Sequence, residues 1–194
     1  MNIVIASHNP KKRREIEAIL GGLGVAVLPA EKTAFVEVEE DAPDFAGNAR
    51  KKAEAFLAAN GVPALADDSG LCVDALDGAP GVRSARFAGE NANDADNNAL
   101  LLARLRGVAN RRARFVCAMH LALPDGRAIT AEGRVEGRIL EAPDGAGGFG
   151  YDPLFFCPEL GKSFAAATPE EKASVSHRGR ALRALAERLA AVLG

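Results

Sequence analysis

The feature that most constrains this chain is a pair of segments, one on each side of a short turn, in which apolar and polar side chains alternate. Before the turn, apolar side chains take every second position: Phe115, Cys117, Met119, Leu121 and Leu123. Residues 124–126 read Pro-Asp-Gly, a combination typical of tight turns. A period of two is typical of strands with one buried face, so residues 112–137 predict a β-hairpin.

Helical segments alternate with strands elsewhere in the chain. Residues 3–5 are a short β-branched run typical of a buried strand, and residues 11–20 fit a helix that ends at Gly21. Residues 48–60 fit a second helix, with Gly61 just past its end. A helical stripe near the C-terminus is formed by Leu182, Leu185, Leu189 and Val192. This alternation of strand, turn and helix predicts an α/β fold.

Composition and charge limit the partners. With 194 residues, 48% of them hydrophobic, the chain suits a single domain over residues 1–194. Its 24 basic and 26 acidic side chains nearly cancel, so it has no general attraction to nucleic acid or to an anionic membrane. Aromatic residues make up only 5%, too few for a repeated base-stacking surface. We therefore expect neither nucleic acid nor a membrane as a partner.

The cysteines and the N-terminus indicate the compartment. Cys72, Cys117 and Cys157 are far apart and form no C-x-x-C pair, so neither a zinc site nor a disulfide framework is predicted. The apolar run at the N-terminus precedes the basic residues, the reverse of a signal peptide, and no apolar stretch has membrane length. We expect a soluble, cytoplasmic protein.

Two adjacent carboxylates, Asp67 and Asp68, end the short apolar run at residues 64–66 and precede Ser69. One interpretation is an Asx-type turn, in which one carboxylate caps backbone N–H groups and the other is solvated. The other is a magnesium site, because like charges at a strand end repel and a divalent cation relieves that repulsion. The acidic run at residues 37–41 either supplies a further ligand or forms a solvated loop.

The segment SHNPKK at residues 7–12 opens a predicted helix. Either Ser7 or Asn9 caps a helix whose lysines are exposed, or the helix N-terminus and a lysine form an anion site. The phosphate-loop motif G-x-x-x-x-G-K-[ST] is absent. Lys52, beside Lys51, is either a phosphate ligand or part of a solvated helix face.

The segment GGFGYDP at residues 147–153 places two aromatic residues among glycines. It forms either a flexible hairpin tip or a base-binding loop. In the second case Phe149 and Tyr151 present a ring that stacks on a nucleobase, and Asp152 accepts hydrogen bonds from the base edge.

His177 and Arg178 lie at the start of the last predicted helix, where positive charge is unfavourable to the helix dipole. An anionic or carbonyl-bearing ligand would relieve this. The alternative is a surface arginine beside a histidine that is hydrogen-bonded to the backbone. Together, carboxylates, lysines, a stacking ring and a polar clamp are what a magnesium nucleotide requires, so the residues alone favour a magnesium-dependent nucleotide hydrolase.

Five groups of motifs occur in the order SHNPKK, EED with NARKKA, ADDSGL with GAPGVRSARF, GGFGYDPLF and EEKASVSHRGRAL. They resemble the inosine/xanthosine triphosphate pyrophosphatase family from Ser7 to beyond Arg178. The resemblance implies a long central mixed β-sheet flanked by helices, with two lobes around a nucleotide-binding cleft. It implies Mg²⁺-dependent hydrolysis of ITP, dITP and XTP to the monophosphate and pyrophosphate, which cleanses the nucleotide pool of deaminated purines. It also implies a homodimer.

The resemblance assigns roles by position. It makes Asp68 the general base and a metal ligand, with Glu39 the second metal ligand. The residues that it places against the substrate are Ser7, His8, Asn9, Pro10, Lys11, Lys12, Lys52, Ser69, Phe149, Gly150, Tyr151, Asp152, Lys172, His177 and Arg178. One departure is His8, because the family commonly has glycine there and a side chain limits close approach of backbone to phosphate.

Two alternatives remain open at this point. One is a related pyrophosphatase that acts on modified pyrimidines or other nucleotides. The other is a nucleotide-binding regulatory module without turnover, which would lack a member of the carboxylate set. Glu39, Asp67 and Asp68 are all present.

Overall fold

The computed structural model describes residues 2–21, 25–34 and 36–193, with side chains in the last helix up to residue 191. Within this part of the chain the α-helices are α1 (Pro10–Gly21), α2 (Phe45–Asn60), α3 (Asp94–Arg104), α4 (Pro169–Val175) and α5 (His177–Leu193). The strands are β1 (Asn2–Ile5), β2 (Ala26–Val27), β3 (Ala64–Val73), β4 (Arg112–Ala122), β5 (Ala128–Ile139), β6 (Phe155–Cys157) and β7 (Lys162–Ser163).

These strands form a mixed sheet in the order β2-β1-β3-β4-β5-β6-β7. β1 runs parallel to both β2 and β3, whereas β6 is antiparallel to β5 and to β7. The predicted α/β class is therefore confirmed. In the described part of the chain, no helix combines the length and the apolar character that crossing a membrane requires.

The chain divides into two compact units. The first comprises residues 1–68, 117–133 and 178–194, and the second comprises residues 69–116 and 134–177. The prediction of a single two-lobed domain stays a prediction.

The first unit has helices on both faces of its strands. Ile3 and Ile5 of β1 belong to a buried apolar cluster with residues of α1 and α5. Val4, which lies between them, belongs to a second cluster with Ala53 and Phe56 of α2. Because successive side chains in a strand point to opposite faces, alternation in β1 places α1 and α5 against one face and α2 against the other.

The second unit is built around aromatic rings. The ring of Phe115 in β4 lies 4.7 Å from that of Phe155 in β6 and 6.0 Å from that of Phe164, centroid to centroid. α3 begins with a capping box in which Asn93 and Asp96 each bond to the backbone N–H of the other. From the sequence, both Asn93 and Asp94 are candidates for the cap of this helix, and the structure confirms Asn93.

The hairpin is as predicted, whereas α2 begins at Phe45 and not at the predicted residue 48, and the acidic turn is not as predicted. β4 and β5 form the hairpin strands, and the turn is closed by a bond from the Gly126 N–H to the Leu123 carbonyl, 3.0 Å long. The interpretation of residues 67–70 as a turn is wrong, because β3 continues through them to Val73. Of the predicted C-terminal stripe, the Val192 side chain lies outside the described residues.

Replacing Gly137 in β5 by alanine should destabilise the second unit. A Cβ at this position would lie 2.4 Å from the carbonyl oxygen of Phe156 and 2.5 Å from the ring of Phe155. Relieving such an overlap typically costs about 1–3 kcal/mol of unfolding free energy. Urea unfolding followed by circular dichroism measures it.

The matched control for this variant is Gly21→Ala, where a Cβ meets no described atom within 4 Å. Alanine is the better helix former, so this control should keep or slightly raise stability. Equal midpoints for the two variants would contradict the packing described for β5 and β6.

Candidate active site

Asp67 and Asp68 face opposite sides of β3. Both are buried, with 1% and 6% of their surface exposed. Asp67 contacts residues of α1 and α5, whereas Asp68 contacts residues of α2. Since adjacent strand residues point in opposite directions, the nearest cations of Asp67 come from α1 and α5, whereas the nearest cation of Asp68 comes from α2.

Asp67 is held in a buried ion-pair network. Its Oδ2 accepts hydrogen bonds from Arg178 Nη2 at 3.0 Å and Nε at 3.3 Å, and the Lys12 ammonium lies 3.4 Å away. Arg178 is 2% exposed, and its Nη1 donates to the Glu15 carboxylate. Burial alone would raise the pKa of Asp67, but Lys12 and Arg178 outweigh it and hold that pKa well below its ordinary value. Asp67 is therefore ionised at neutral pH.

Asp68 lies in a different environment. Its Oδ2 accepts a hydrogen bond from Asn48 Nδ2 at 3.1 Å, and its Oδ1 lies 3.7 Å from the Lys52 ammonium. Lys52 also donates to Glu40, at 2.8 Å. Burial raises the pKa of the Asp68 carboxyl above its ordinary value, although Lys52 and Lys12 act against this. A raised pKa brings a carboxylate closer to what a general base needs at neutral pH.

Carboxylate oxygens near Lys52 fit a magnesium ion, which usually binds through one or two carboxylates, water and substrate phosphates. Asp68 and Glu40 both approach the Lys52 ammonium. Glu39, the predicted second ligand, has an exposed side chain. In the described residues, no three His, Cys, Asp or Glu side chains converge to form a protein-only metal site. The Glu39 assignment stays a prediction.

The segment at the start of α1 has a local hydrogen-bond pattern. Asn9 caps the helix, because its Oδ1 accepts from the backbone N–H groups of Lys11 at 2.9 Å and Lys12 at 3.2 Å. The Ser7 hydroxyl accepts from the Asn9 N–H at 3.3 Å. Nε2 of His8 lies 2.8 Å from the carbonyl oxygen of Val36, so the imidazole contacts the backbone of the acidic loop. The phosphate-binding roles of residues 7–12 stay predictions.

In the second unit, Lys172 and Asp152 form a buried ion pair beside Phe149. The Lys172 ammonium lies 2.7 Å from Asp152 Oδ2 and 4.6 Å from the centre of the Phe149 ring. That distance is within the range of a cation–π contact. The ring of Phe149 is half-buried. The structure thus brings together three of the predicted substrate-binding residues.

Other predicted substrate-binding residues are buried by protein contacts. Tyr151 is 4% exposed, and its hydroxyl donates to the Ser84 carbonyl at 2.8 Å. Burial raises the pKa of this phenol, so it stays protonated. The His177 ring, 4% exposed, stacks on Phe115 with 4.8 Å between ring centres. Ser69 is half-buried in β3.

Sequence reasoning missed two residues around Asp67 and Asp68, one bonded to Asp68 and the other to Arg178. Asn48 contacts Asp68 and precedes Lys52 by four residues, so the helical spacing that puts both on one face of α2 was an available signal. Glu15 contacts Arg178 from 163 residues away, and no local pattern announces that pair.

The fold and the site define an α/β protein in which lysines and an arginine from three helices surround two carboxylates on a buried strand. A model of the Ham1 family matches residues 3–188, and the chain belongs to that family. This confirms the family membership that the motifs predicted.

Relatives and solved structures agree with this assignment. The chain is 52% identical to a protein of Aromatoleum aromaticum named dITP/XTP pyrophosphatase, with 96% of each chain covered. It is equally similar to a protein of that name from Geobacter sulfurreducens, again 52% identical over 96% of each chain. The Ham1 protein structure from Staphylococcus aureus is 39% identical, with a TM-score of 0.88 and coverage of 99% and 100%. A HAM1 protein from Coxiella burnetii has a TM-score of 0.89 at 38% identity, over 98% and 99% of the two chains.

Replacing Asp67 by asparagine should strongly destabilise the first unit at neutral pH. The change removes the carboxylate from a buried guanidinium, a kind of loss that typically costs about 3–5 kcal/mol. Because the folded pKa of Asp67 is lowered, its contribution is fully present above its unfolded pKa of about 4 and is lost as the pH falls below it. The stability gap between wild type and variant should therefore narrow from pH 7 to pH 3.5. Urea unfolding at both pH values measures this gap.

Asp41→Asn is the control, since it removes the carboxylate of an exposed ion pair with Lys51. Exposed pairs contribute little, so this variant should unfold close to wild type. If the two variants lose the same stability at pH 7, Asp67 does not stabilise the buried network.

Proposed function

We propose that this protein is a nucleoside triphosphate pyrophosphatase that hydrolyses ITP, dITP and XTP to the monophosphate and pyrophosphate, with Mg²⁺ as cofactor. Its role would be to cleanse the nucleotide pool of deaminated purines. The observation that carries the proposal is the Asp68 carboxylate, which is buried, has a raised pKa and lies next to Lys52 and Asn48. The names of relatives that are 52% identical over nearly the whole chain support the same activity.

Asp68 would act as the general base. Its Oδ2 is oriented by Asn48, so the carboxylate has one defined direction. A water held against it would lose a proton to the carboxylate while its oxygen attacks the α-phosphorus. The bond between the α-phosphorus and the bridging oxygen then breaks, and pyrophosphate leaves.

Lys12 and Lys52 would bind the phosphates. Both ammonium groups lie within 4 Å of a carboxylate on β3, and the nearby carboxylates raise the pKa of Lys52 although burial acts to lower it. Lys52 therefore stays charged when a triphosphate arrives, and the two side chains can stabilise the charge that develops on its oxygens. Asp68, with Glu39 or Glu40, would hold the magnesium ion, whose positive charge would be available to offset the charge of pyrophosphate.

The nucleoside would be bound by Phe149 to Asp152 and by Lys172, with Phe149 stacking on the base. In this structure one neighbour of the Phe149 ring is the Lys172 ammonium, at 4.6 Å. The family pattern also assigns His177 and Arg178 to the base, where their N–H groups would donate to the 6-keto oxygen. In the structure Arg178 is bonded to Asp67 and Glu15. The other residues that the family pattern places against the substrate, Ser69 and those at positions 7–11, are part of the same proposal.

The wider assignments also remain proposals. We infer a homodimer, one two-lobed domain over residues 1–194 and a cytoplasmic enzyme whose partner is a purine nucleoside triphosphate. The near balance of acidic and basic residues supports a small-molecule substrate in preference to nucleic acid or a membrane.

Incubation with ITP and Mg²⁺ should release pyrophosphate and no orthophosphate. XTP and dITP should react similarly, whereas GTP, ATP and dTTP should react much more slowly. Separate assays for pyrophosphate and orthophosphate across this panel test both the bond that is cleaved and the base that is chosen. Orthophosphate release or a preference for pyrimidines would reject the assignment, and binding without turnover would indicate a regulatory module.

Replacing Asp68 by asparagine should lower kcat for ITP by at least about a hundredfold, because general-base catalysis typically contributes that much. Folding should persist, since asparagine can still accept a hydrogen bond from Asn48. Asp41→Asn, at an exposed carboxylate in the acidic loop, is the control and should keep its turnover. Near-normal kcat in Asp68→Asn, measured by pyrophosphate release, would remove Asp68 from the mechanism.

A further inference from the structure

Gly150 of the glycine-rich loop is hydrogen-bonded to helix α3 through both its N–H and its carbonyl. The Gly150 N–H donates to Asp94 Oδ2 at 2.8 Å, and the Gly150 carbonyl accepts from Asn98 Nδ2 at 2.9 Å. Asp94 and Asn98 are four residues apart, so they lie on one face of α3 about one turn apart. The loop and this helix both belong to the second unit.

The neighbouring peptide is fixed as well. The Phe149 N–H donates to Asp152 Oδ2 at 2.9 Å, and that oxygen also receives the Lys172 ammonium at 2.7 Å. Gly148 has φ of +71°, and a Cβ there would lie 2.2 Å from the same Asp152 oxygen. The N–H groups of Phe149 and Gly150 are therefore both hydrogen-bonded to side chains, the first to Asp152 within the loop and the second to Asp94 of α3.

Glycines at 147, 148 and 150 would otherwise leave this segment many backbone conformations. Ordering one residue typically costs about 1–2 kcal/mol in conformational entropy. If the loop became ordered only when substrate bound, this cost would weaken the binding of the substrate by the same amount of free energy. The hydrogen bonds that Gly150 makes with Asp94 and Asn98 order the loop beforehand, so the ring of Phe149 is already in place.

We propose that Asp94 and Asn98 are positioning residues that set the Phe149 ring for stacking on the purine base of the substrate. This inference rests on the proposed function. Neither side chain needs to touch the nucleotide. Both act through their hydrogen bonds with Gly150, so they determine how tightly the nucleoside binds and leave the chemistry at the phosphates unchanged.

Asp94→Ala tests the proposal by the kinetics of pyrophosphate release from ITP. KM should rise about five- to tenfold, as expected for one lost hydrogen bond, while kcat stays within about twofold. Asp94→Asn keeps a side-chain oxygen and should restore most of the affinity. Inorganic tripolyphosphate, which has no base, should inhibit wild type and Asp94→Ala equally.

Asp96→Ala is the matched control. Asp96 lies in the same first turn of α3 and completes the capping box, in which its carboxylate accepts a hydrogen bond from the Asn93 N–H. A merely structural effect would appear at least as strongly in this variant. Its KM for ITP should stay near wild type.

The decisive comparison is the effect of Asp94→Ala on KM with and without the Phe149 ring. In a Phe149→Ala background, Asp94→Ala should raise KM no further, because the ring that it positions is gone. An unchanged KM in Asp94→Ala, equal effects of Asp96→Ala, or full additivity with Phe149→Ala would overturn the proposal. Lack of ITP turnover by wild type would instead overturn the proposed function, and this inference with it.

Discussion

The structure depends on compensating the negative charge that β3 carries into the interior. Asp67 has 1% of its surface exposed, and an isolated carboxylate there would carry a large desolvation cost. Arg178 from α5 and Lys12 from α1 remove that cost on one face of the strand. Lys52 from α2 does the same for Asp68 on the other face. The three helices of the first unit are therefore tied to one strand by charge as well as by apolar packing.

The same arrangement gives two chemically identical residues, Asp67 and Asp68, different pKa values. Lys12 and Arg178 lower the pKa of Asp67, whereas burial raises that of Asp68. Pairs of carboxyl groups whose environments move their pKa values apart are typical of sites in which one group is structural and the other transfers protons. This difference supports Asp68, and not Asp67, as the general base.

Local patterns predicted most of the fold but only part of the site. The hairpin and the Asn93 cap depend on neighbours within a few residues, so periodicity and capping chemistry were sufficient. The strand through residues 67–70 was missed because its charges are compensated by residues distant in sequence, such as Arg178. The sequence predicts Tyr151 as a ligand for the base. No local pattern indicates that its ring is buried and that its hydroxyl donates to the Ser84 carbonyl. Burial of this kind is decided by tertiary packing.

The sequence leaves two interpretations of the glycine-rich loop, and its hydrogen bonds favour an ordered loop over a flexible hairpin tip. Gly150 is bonded through both its N–H and its carbonyl, and Phe149 through its N–H. Stacking on an aromatic ring tolerates every base, because each base has a π-face. A fixed Phe149 would therefore add affinity for any nucleoside without selecting among bases. Selection of deaminated purines must then come from polar groups at the base edge, where one unpaired donor or acceptor carries a large penalty.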